Sequence, residues 1–170
     1  MNELEMQLHY PLGDALPHGG GTLEVAPGVK WIRMSLPFAL NHINLWLLRD
    51  CIDGVEGWSI VDCCIHRDEA KAQWESIFAN ELEGLPILRV IVTHMHPDHI
   101  GLAHWLCERW NVRLWISATD YQVARLGCMG PTGFGGDRAA DYFASHGLNA
   151  PDMMEQIKER SGYFPSLVPS

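Results

Sequence analysis

The sequence predicts an α/β fold in which helices pack around a mixed β-sheet. The first third of the chain carries two hairpin signals, and residues 87–93 form a nearly continuous apolar run rich in β-branched residues. Such a run is typical of a strand that is covered on both faces. Helical patterns precede and follow it, and strands that alternate with helices around a buried strand indicate α/β layering.

The predicted strands of the first half are bounded by turn residues. Residues 1–21 are irregular because prolines and the run Gly19-Gly20-Gly21 interrupt them. Four strand-like segments then form two predicted antiparallel pairs: 23–25 with 29–35 across Ala26-Pro27-Gly28, and 44–48 with 58–61, a strand that ends at Asp62.

Helical spacing dominates the rest of the chain. Apolar residues recur at three- and four-residue steps between Arg67 and Leu82, which predicts a helix there. The buried strand at 87–93 follows, and a second helix starts near Asp98. The remaining predicted elements are a strand at 113–117, helices at 119–126, 137–146 and 151–160, a glycine-rich loop at 127–136, and no regular element at 162–170.

Length and composition indicate one globular domain. A chain of 170 residues with 47% hydrophobic and 19% charged residues is long enough to bury a core. We expect a single domain over 1–170, with a β/α core at 22–120 and a helical segment at 121–170.

The net charge and the cysteine content limit which binding partners and which cellular compartment we expect for the protein. The formal net charge is −9 and no cluster of Lys and Arg is present, which argues against a nucleic-acid partner. No apolar run approaches a membrane span, and the first residues lack the features of a secretory signal. Five cysteines without a framework spacing indicate a reduced, cytoplasmic protein. We therefore expect a small-molecule substrate, and no membrane partner.

The strongest functional signal is a cluster of potential metal ligands directly after the buried strand. His94 and His96 are two residues apart, so their imidazoles point to the same side and can bind one ion. Asp98 and His99 lie on the turn into the next helix and can face the same cavity. Imidazole and carboxylate suit zinc, and also iron or manganese. The alternative is a chance cluster on an exposed loop, which this spacing after a buried strand disfavours.

The segment Ile91-Val-Thr-His-Met-His-Pro-Asp-His-Ile-Gly-Leu102 resembles the signature of the metallo-β-lactamase superfamily. The resemblance covers residues 22–120: a hairpin, the strand at 44–47, a strand that ends in Asp62, and a helix follow each other in the order that such proteins show. It implies an αββα sandwich and relates the chain to glyoxalase II-type thioesterases, lactonases and ribonuclease Z.

The resemblance also implies roles for the matching residues. His94 and His96 correspond to two ligands of a first metal ion, and Asp98 and His99 to two ligands of a second. A complete site holds two ions, zinc being the expected metal. Asp62 corresponds to a residue that orients a ligating histidine by hydrogen bonding, although it can equally be a strand-end turn residue.

The activity that the resemblance implies is hydrolysis of an ester, thioester or lactone by a metal-bound hydroxide. Asp98 is expected to be the catalytic residue that orients this hydroxide and receives its proton. Two further residues are candidates for the wall of a substrate pocket, namely His42 and Trp46; a core or loop position is the alternative for His42. Cleavage of RNA phosphodiesters is a rival function that the acidic charge disfavours.

The chain departs from the family pattern after the motif. The family completes its site with a histidine, a bridging aspartate and a last histidine from the second half of the sandwich, whereas only His146 follows His104 here. His146 falls at the end of a predicted helix, not in a turn after a strand. We therefore expect an incomplete sandwich, composed of its N-terminal half and a helical insertion, that lacks the full site.

Three explanations for this incompleteness remain open. The chain is a truncated piece of a longer hydrolase, or a half-domain that pairs with a second copy as a homo-oligomer, or a non-catalytic protein that binds metal weakly. We favour the first.

Overall fold

The computed structural model describes residues 2, 4–129 and 135–169 and contains a six-stranded mixed sheet. The strands lie side by side in chain order, and β1 to β4 are antiparallel while β4, β5 and β6 are parallel. Their bounds are β1 Leu23–Ala26, β2 Val29–Ser35, β3 His42–Ile52, β4 Val55–Val61, β5 Ile87–Ile91 and β6 Leu114–Trp115.

Helices make the two parallel connections and form most of the rest of the described chain. One helix links β4 to β5, and two short helices link β5 to β6. Single 3₁₀ turns lie at Glu5–Gln7 and Arg160–Gly162. The α-helices are α1 Asp68–Asn80, α2 Pro97–Ile100, α3 Ala103–Trp110, α4 Ala118–Cys128, α5 Gly136–Ser145, α6 Pro151–Glu159 and α7 Tyr163–Leu167.

One face of the sheet belongs to the main hydrophobic core. Leu45 pairs with Ile32 and Leu47 pairs with Ile60, so strand alternation places all four on the same face, where each is at most 1% exposed. Trp74 of α1 and Leu106 of α3 pack into the same core. Because apolar residues of both helices meet this face, α1 and α3 are held against the sheet mainly by apolar burial.

The opposite face of the sheet is only half-buried. Trp31 stacks on Trp46 with ring centroids 6.4 Å apart. A polar group lies farther along this face: Asp50 accepts hydrogen bonds from Ser59 and from Arg89, whose Nη2 is 2.6 Å from Oδ2 of Asp50. Within the residues that the structure describes, the sheet is a single layer and no second sheet packs on this face.

The prediction of an α/β fold with a mixed sheet is confirmed, but several bounds differ. The second hairpin is longer than predicted, because Asp53 and Gly54 both adopt positive φ and form a tight turn that lets β3 continue to Ile52. The predicted loop at 127–136 is also shorter: α4 runs to Cys128 and α5 begins at Gly136. Residues 130–134 of that loop lie outside the described residues.

The C-terminal region was predicted wrongly. Residues 163–167 form α7, although no element was expected there. Among the described parts of the chain, none of these helices has the length and apolar character that crossing a membrane requires.

Candidate metal centre

The motif begins where two neighbouring parallel strands end. Val61 at the end of β4 pairs with Ile91 at the end of β5, and the backbone N–H of Asp62 donates to the carbonyl of Ile91 at 2.8 Å. Asp62 and the segment from Thr93 onward therefore leave the sheet at the same edge. The carboxyl ends of parallel strands are a common position for functional residues in α/β folds.

Asp62 connects the strand edge to the histidine cluster. Its side chain is buried, with only 4% exposure of the residue, and it accepts hydrogen bonds from Thr93 N at 2.8 Å and from Thr93 Oγ1. Oδ2 of Asp62 also lies 2.8 Å from Nδ1 of His99. A carboxylate at Nδ1 keeps the proton on that atom, so Nε2 of His99 is left with a free lone pair that can bind a metal ion.

The three imidazoles of the motif lie against each other. The ring centroid of His94 is 3.9 Å from that of His99 and 4.7 Å from that of His96. Nε2 of His94 lies 3.0 Å from Nδ1 of His96, and Nε2 of His99 lies 3.5 Å from Oδ2 of Asp98. All four residues that were predicted as metal ligands are therefore brought to one place.

The charges within the cluster shift the pKa values of two histidines in opposite directions. Burial lowers the pKa of His94, and positive charge on His99 and His96 lowers it further. For His99, burial also favours the neutral ring, but the hydrogen bond and charge of Asp62 outweigh it and raise the pKa. At neutral pH the neutral ring of His94 is therefore favoured, which is the form that binds metal.

A tight backbone contact fixes the helix that carries Asp98 and His99. The N–H of Cys63 donates to the His99 carbonyl at 2.8 Å, and the N–H of Leu102 donates to the Cys64 carbonyl at 3.0 Å. A Cβ at Gly101 would lie 2.6 Å from Cα of Ile65, so only glycine permits this approach. The buried cysteine pair thus supports the motif through its backbone.

Asp120 belongs to the surroundings of the cluster and was missed in the sequence. Oδ1 of Asp120 accepts a hydrogen bond from the N–H of Met95 at 3.2 Å. The hydrogen bond from Ser117 lowers the pKa of Asp120, and the nearby His94 adds to the effect. The signal that could have revealed Asp120 is the pattern Ser117-Ala-Thr-Asp120, a helix N-terminal capping pattern.

A cavity of about 500 Å³ opens beside the motif. This volume lies in the range of small-molecule sites. The cavity is lined by motif residues and by the C-terminal helices: Met95, His96, Pro97, Arg160, Tyr163 and Phe164. The sequence could not indicate Arg160 and Tyr163, because their proximity to the motif depends on how α7 packs.

The two residues predicted to line a substrate pocket are not among those that line this cavity. His42, at the start of β3, lines a separate cavity together with Arg33 and Gln73, and its Nδ1 lies 2.8 Å from Oδ1 of Asn41. Trp46 stacks on Trp31 on the half-buried face of the sheet.

The remaining candidate histidines are engaged elsewhere. His146 follows α5, and its Nδ1 lies 2.8 Å from the Tyr142 carbonyl. His104 pairs with Glu108 along α3 and lines a smaller, apolar cavity of about 280 Å³ between α3 and α4. Burial raises the pKa of Cys107 in that cavity to about 11, which keeps the thiol protonated and argues against a nucleophilic site there.

The donor set fits zinc in chemical type, but the side-chain positions do not yet form a binding geometry. Three imidazoles and a carboxylate are ligands that zinc prefers. Within the part of the chain that the structure describes, however, no group of three or more His, Cys, Asp or Glu side chains is arranged to hold an ion. The 3.0 Å contact between His94 and His96 agrees with this, since the two nitrogens face each other and not a shared point.

Comparison with known proteins assigns the fold and the family. The model of the metallo-beta-lactamase superfamily matches residues 40–145, so the chain belongs to this superfamily, whose members are generally metal-dependent hydrolases and typically bind zinc. No curated protein shows significant similarity to the chain.

Two solved structures illustrate the relationship. A beta-lactamase domain protein from Burkholderia ambifaria is 52% identical, with a TM-score of 0.83, and the match covers 100% of this chain and 46% of that one. A metallo-beta-lactamase family protein from Thermus thermophilus shares the fold at 24% identity and a TM-score of 0.57, over 80% of this chain and 43% of that one. The chain thus spans less than half the length of either protein.

Proposed function

We propose that this chain supplies the histidine-rich part of a zinc-dependent hydrolase centre that cleaves an ester, thioester or lactone. The observation that carries the proposal is the convergence of His94, His96, Asp98 and His99 beside a cavity of small-molecule size. Membership of a superfamily of generally metal-dependent hydrolases supports it.

Each residue of the cluster has a role in this proposal. His94 and His96 would hold one ion, while Asp98 and His99 would hold a second. When bound, the ions make a coordinated water acidic and polarise the carbonyl of the substrate. Asp98, whose Oδ2 lies 3.5 Å from Nε2 of His99 at the same centre, would orient such a water and would be the carboxylate that accepts its proton.

Asp62 contributes to this centre without touching the substrate. Its carboxylate holds the Nδ1 proton of His99, so that Nε2 stays available to the metal ion. The same carboxylate binds the backbone N–H of Thr93, which fixes the start of the motif relative to β4.

The first experiment measures metal content and hydrolysis together. The protein is purified without chelator or metal-binding tag, its metal content is determined by plasma mass spectrometry, and thioester and phosphodiester reporters are assayed with and without added zinc. About two ions per chain would mean that a partner chain or unassigned residues supply the missing ligands, and little or no metal would mean that the four residues form half of a site. Zinc-dependent thioester hydrolysis that is abolished in His96→Ala would support the proposed centre and exclude the non-catalytic alternative.

The matched control is His104→Ala, which removes an exposed histidine that pairs with Glu108 on α3. Its thioester hydrolysis should equal that of the wild type. Unchanged hydrolysis in His96→Ala would show the proposed centre to be wrong.

Two alternatives are separated by the same assays. A zinc-dependent activity on the phosphodiester alone would favour a nuclease-type function. Bound metal without turnover of either reporter would favour a non-catalytic, metal-binding half-fold. The observation behind this alternative is the sheet face with Trp31 and Trp46, which is only half-buried. Two copies of the chain could also pair through that face. Light scattering tests this, because pairing predicts the mass of a dimer.

A further inference from the structure

The wall of the cavity opposite the motif is a fixed part of the fold. Phe164 of α7 packs against Gly127 of α4, where a Cβ would lie 2.9 Å from Cδ1 of the ring. The N–H of His66 donates to the Leu167 carbonyl at 3.0 Å, which ties the end of α7 to the loop after β4. The aromatic rings of Tyr163 and Phe38 also contact each other, with centroids 6.1 Å apart.

Among the described residues that line this cavity, Arg160 is the one with a permanently cationic side chain. The other lining residues are mostly apolar or aromatic: Met95, Pro97, Tyr163 and Phe164, with His96 from the cluster. Ligand pockets with a mainly apolar lining commonly contain a few polar or charged groups that fix the orientation of the ligand.

Arg160 has no protein carboxylate as its partner. Among the described residues no ion pair includes it, whereas Lys158, two residues earlier, pairs with Asp137 at 3.4 Å. Arg33 and Arg125 also line cavities without an ion-pair partner among the described residues, and Arg160 differs from them because its cavity is the one beside the motif. A guanidinium binds carboxylate and phosphate in a bidentate manner, better than other side chains do.

We propose that Arg160 binds a second, anionic group of the substrate, a carboxylate or a phosphate, while the scissile carbonyl lies at the histidine cluster. This rests on the proposed function of that cluster. His96 and Arg160 line the same cavity, so one ligand can contact both. The substrate class is thus an ester or thioester that carries an anionic group in its acyl part or in its leaving group.

The test compares two matched pairs of substrates on zinc-loaded protein. The first pair is p-nitrophenyl hexanoate and mono-p-nitrophenyl adipate, which share the reactive ester and the chain length but differ by a terminal carboxylate. The second pair is hexanoyl-pantetheine and hexanoyl-phosphopantetheine, which differ by a phosphate in the leaving group. The pair that responds identifies the source of the anion.

The variants are Arg160→Met, Arg160→Lys and, as a matched control, Lys158→Met, which removes a cation outside the cavity lining. We expect Arg160→Met to lower kcat/KM about tenfold for the anionic member of one pair, mainly through KM, because a hydrogen-bonded ion pair is lost. The neutral member should be unaffected. Arg160→Lys should restore part of the loss, and Lys158→Met should behave as the wild type.

Binding measurements separate this inference from the proposed function. Calorimetry with adipic acid monoanilide and with phosphopantetheine, neither of which has the reactive ester, reports anion binding without turnover. If zinc is bound but no ester or thioester is hydrolysed, the proposed function is wrong, and binding that is lost in Arg160→Met still supports the anion site. If Arg160→Met leaves both pairs and both binding constants unchanged, the anion site is overturned, whatever the activity.

Discussion

Replacing Asp62 with asparagine tests the proposed role of this residue with the smallest change in shape. Asparagine tolerates the left-handed backbone that Asp62 adopts, with φ of 62°. Its amide oxygen can keep the hydrogen bond from Thr93 N, which now goes to Oδ1 of Asp62. The amide nitrogen then takes the place of Oδ2 and donates to Nδ1 of His99, so the ring proton moves to Nε2 and blocks the metal-binding atom.

The expected magnitudes follow from these contacts. Without metal, the bonds from His99 and Thr93 change from charge-assisted to neutral, which lowers the free energy of unfolding by about 1–2 kcal/mol. Zinc affinity should fall about 10- to 100-fold, as for other residues that orient a ligating histidine. At a zinc concentration about 100 times the wild-type Kd, the stabilisation by zinc then drops from about 2.7 to about 0.4–1.4 kcal/mol.

The assay is urea unfolding with and without zinc, combined with zinc titration against a chromophoric chelator. Asp53→Asn is the matched control, because Asp53 also has positive φ but is exposed in the β3–β4 turn. Asp53→Asn should leave both the free energy of unfolding and the zinc affinity unchanged. A zinc affinity of Asp62→Asn within about twofold of the wild type would refute the orienting role, since about tenfold is the smallest loss expected of such a residue.

Two further predictions concern the parts of the fold that hold the site. Gly101→Ala places a Cβ 2.6 Å from Cα of Ile65 and should lower the free energy of unfolding by about 1–3 kcal/mol in urea. Gly19→Ala, where a Cβ meets open space, should leave the free energy of unfolding unchanged. Equal free energies of unfolding for Gly101→Ala and Gly19→Ala would contradict the close approach at Gly101. The hydrogen bond from Ser59, together with Arg89, lowers the pKa of Asp50 despite burial. The ionised Asp50 carboxylate therefore stabilises the fold above the unfolded pKa of about 3.9, and this stabilisation is lost as the pH falls through the folded pKa. The stability difference between wild type and Asp50→Asn should therefore shrink below about pH 4 in acid titrations of unfolding, and a constant difference would contradict this.

Local sequence signals were sufficient to predict the sheet and the position of the motif. The pair Asp53-Gly54 marks a hairpin turn by its own backbone preference, and the apolar run of β5 needs no distant information to be recognised. The spacing of His94, His96, Asp98 and His99 after a buried strand likewise indicates shared ligands, and the structure brings these four residues together. The role of each as a ligand stays a prediction.

The rest of the site depends on long-range packing that short patterns do not contain. Helix α7 is five residues long and contains Pro165, so it has no helical signal of its own and forms against α2 and α4. Arg160 reaches the cavity only through that packing. For the same reason His42 could be placed before a strand from the sequence, but the cavity that it lines could not be inferred.

The strand order of the sheet has a consequence for how the chain folds during synthesis. Every strand pairs with the one that precedes it in the chain, so each can add to an existing edge as it leaves the ribosome, and no early segment has to wait for a distant partner. The antiparallel pairs from β1 to β4 close over shorter connections, whereas the parallel pairs of β4 with β5 and of β5 with β6 form only after the helices between them, and parallel pairing is slower. The growing layer meanwhile presents Trp31 and Trp46 on its half-buried face, and transiently exposed apolar surface of this kind makes a folding chain prone to aggregation.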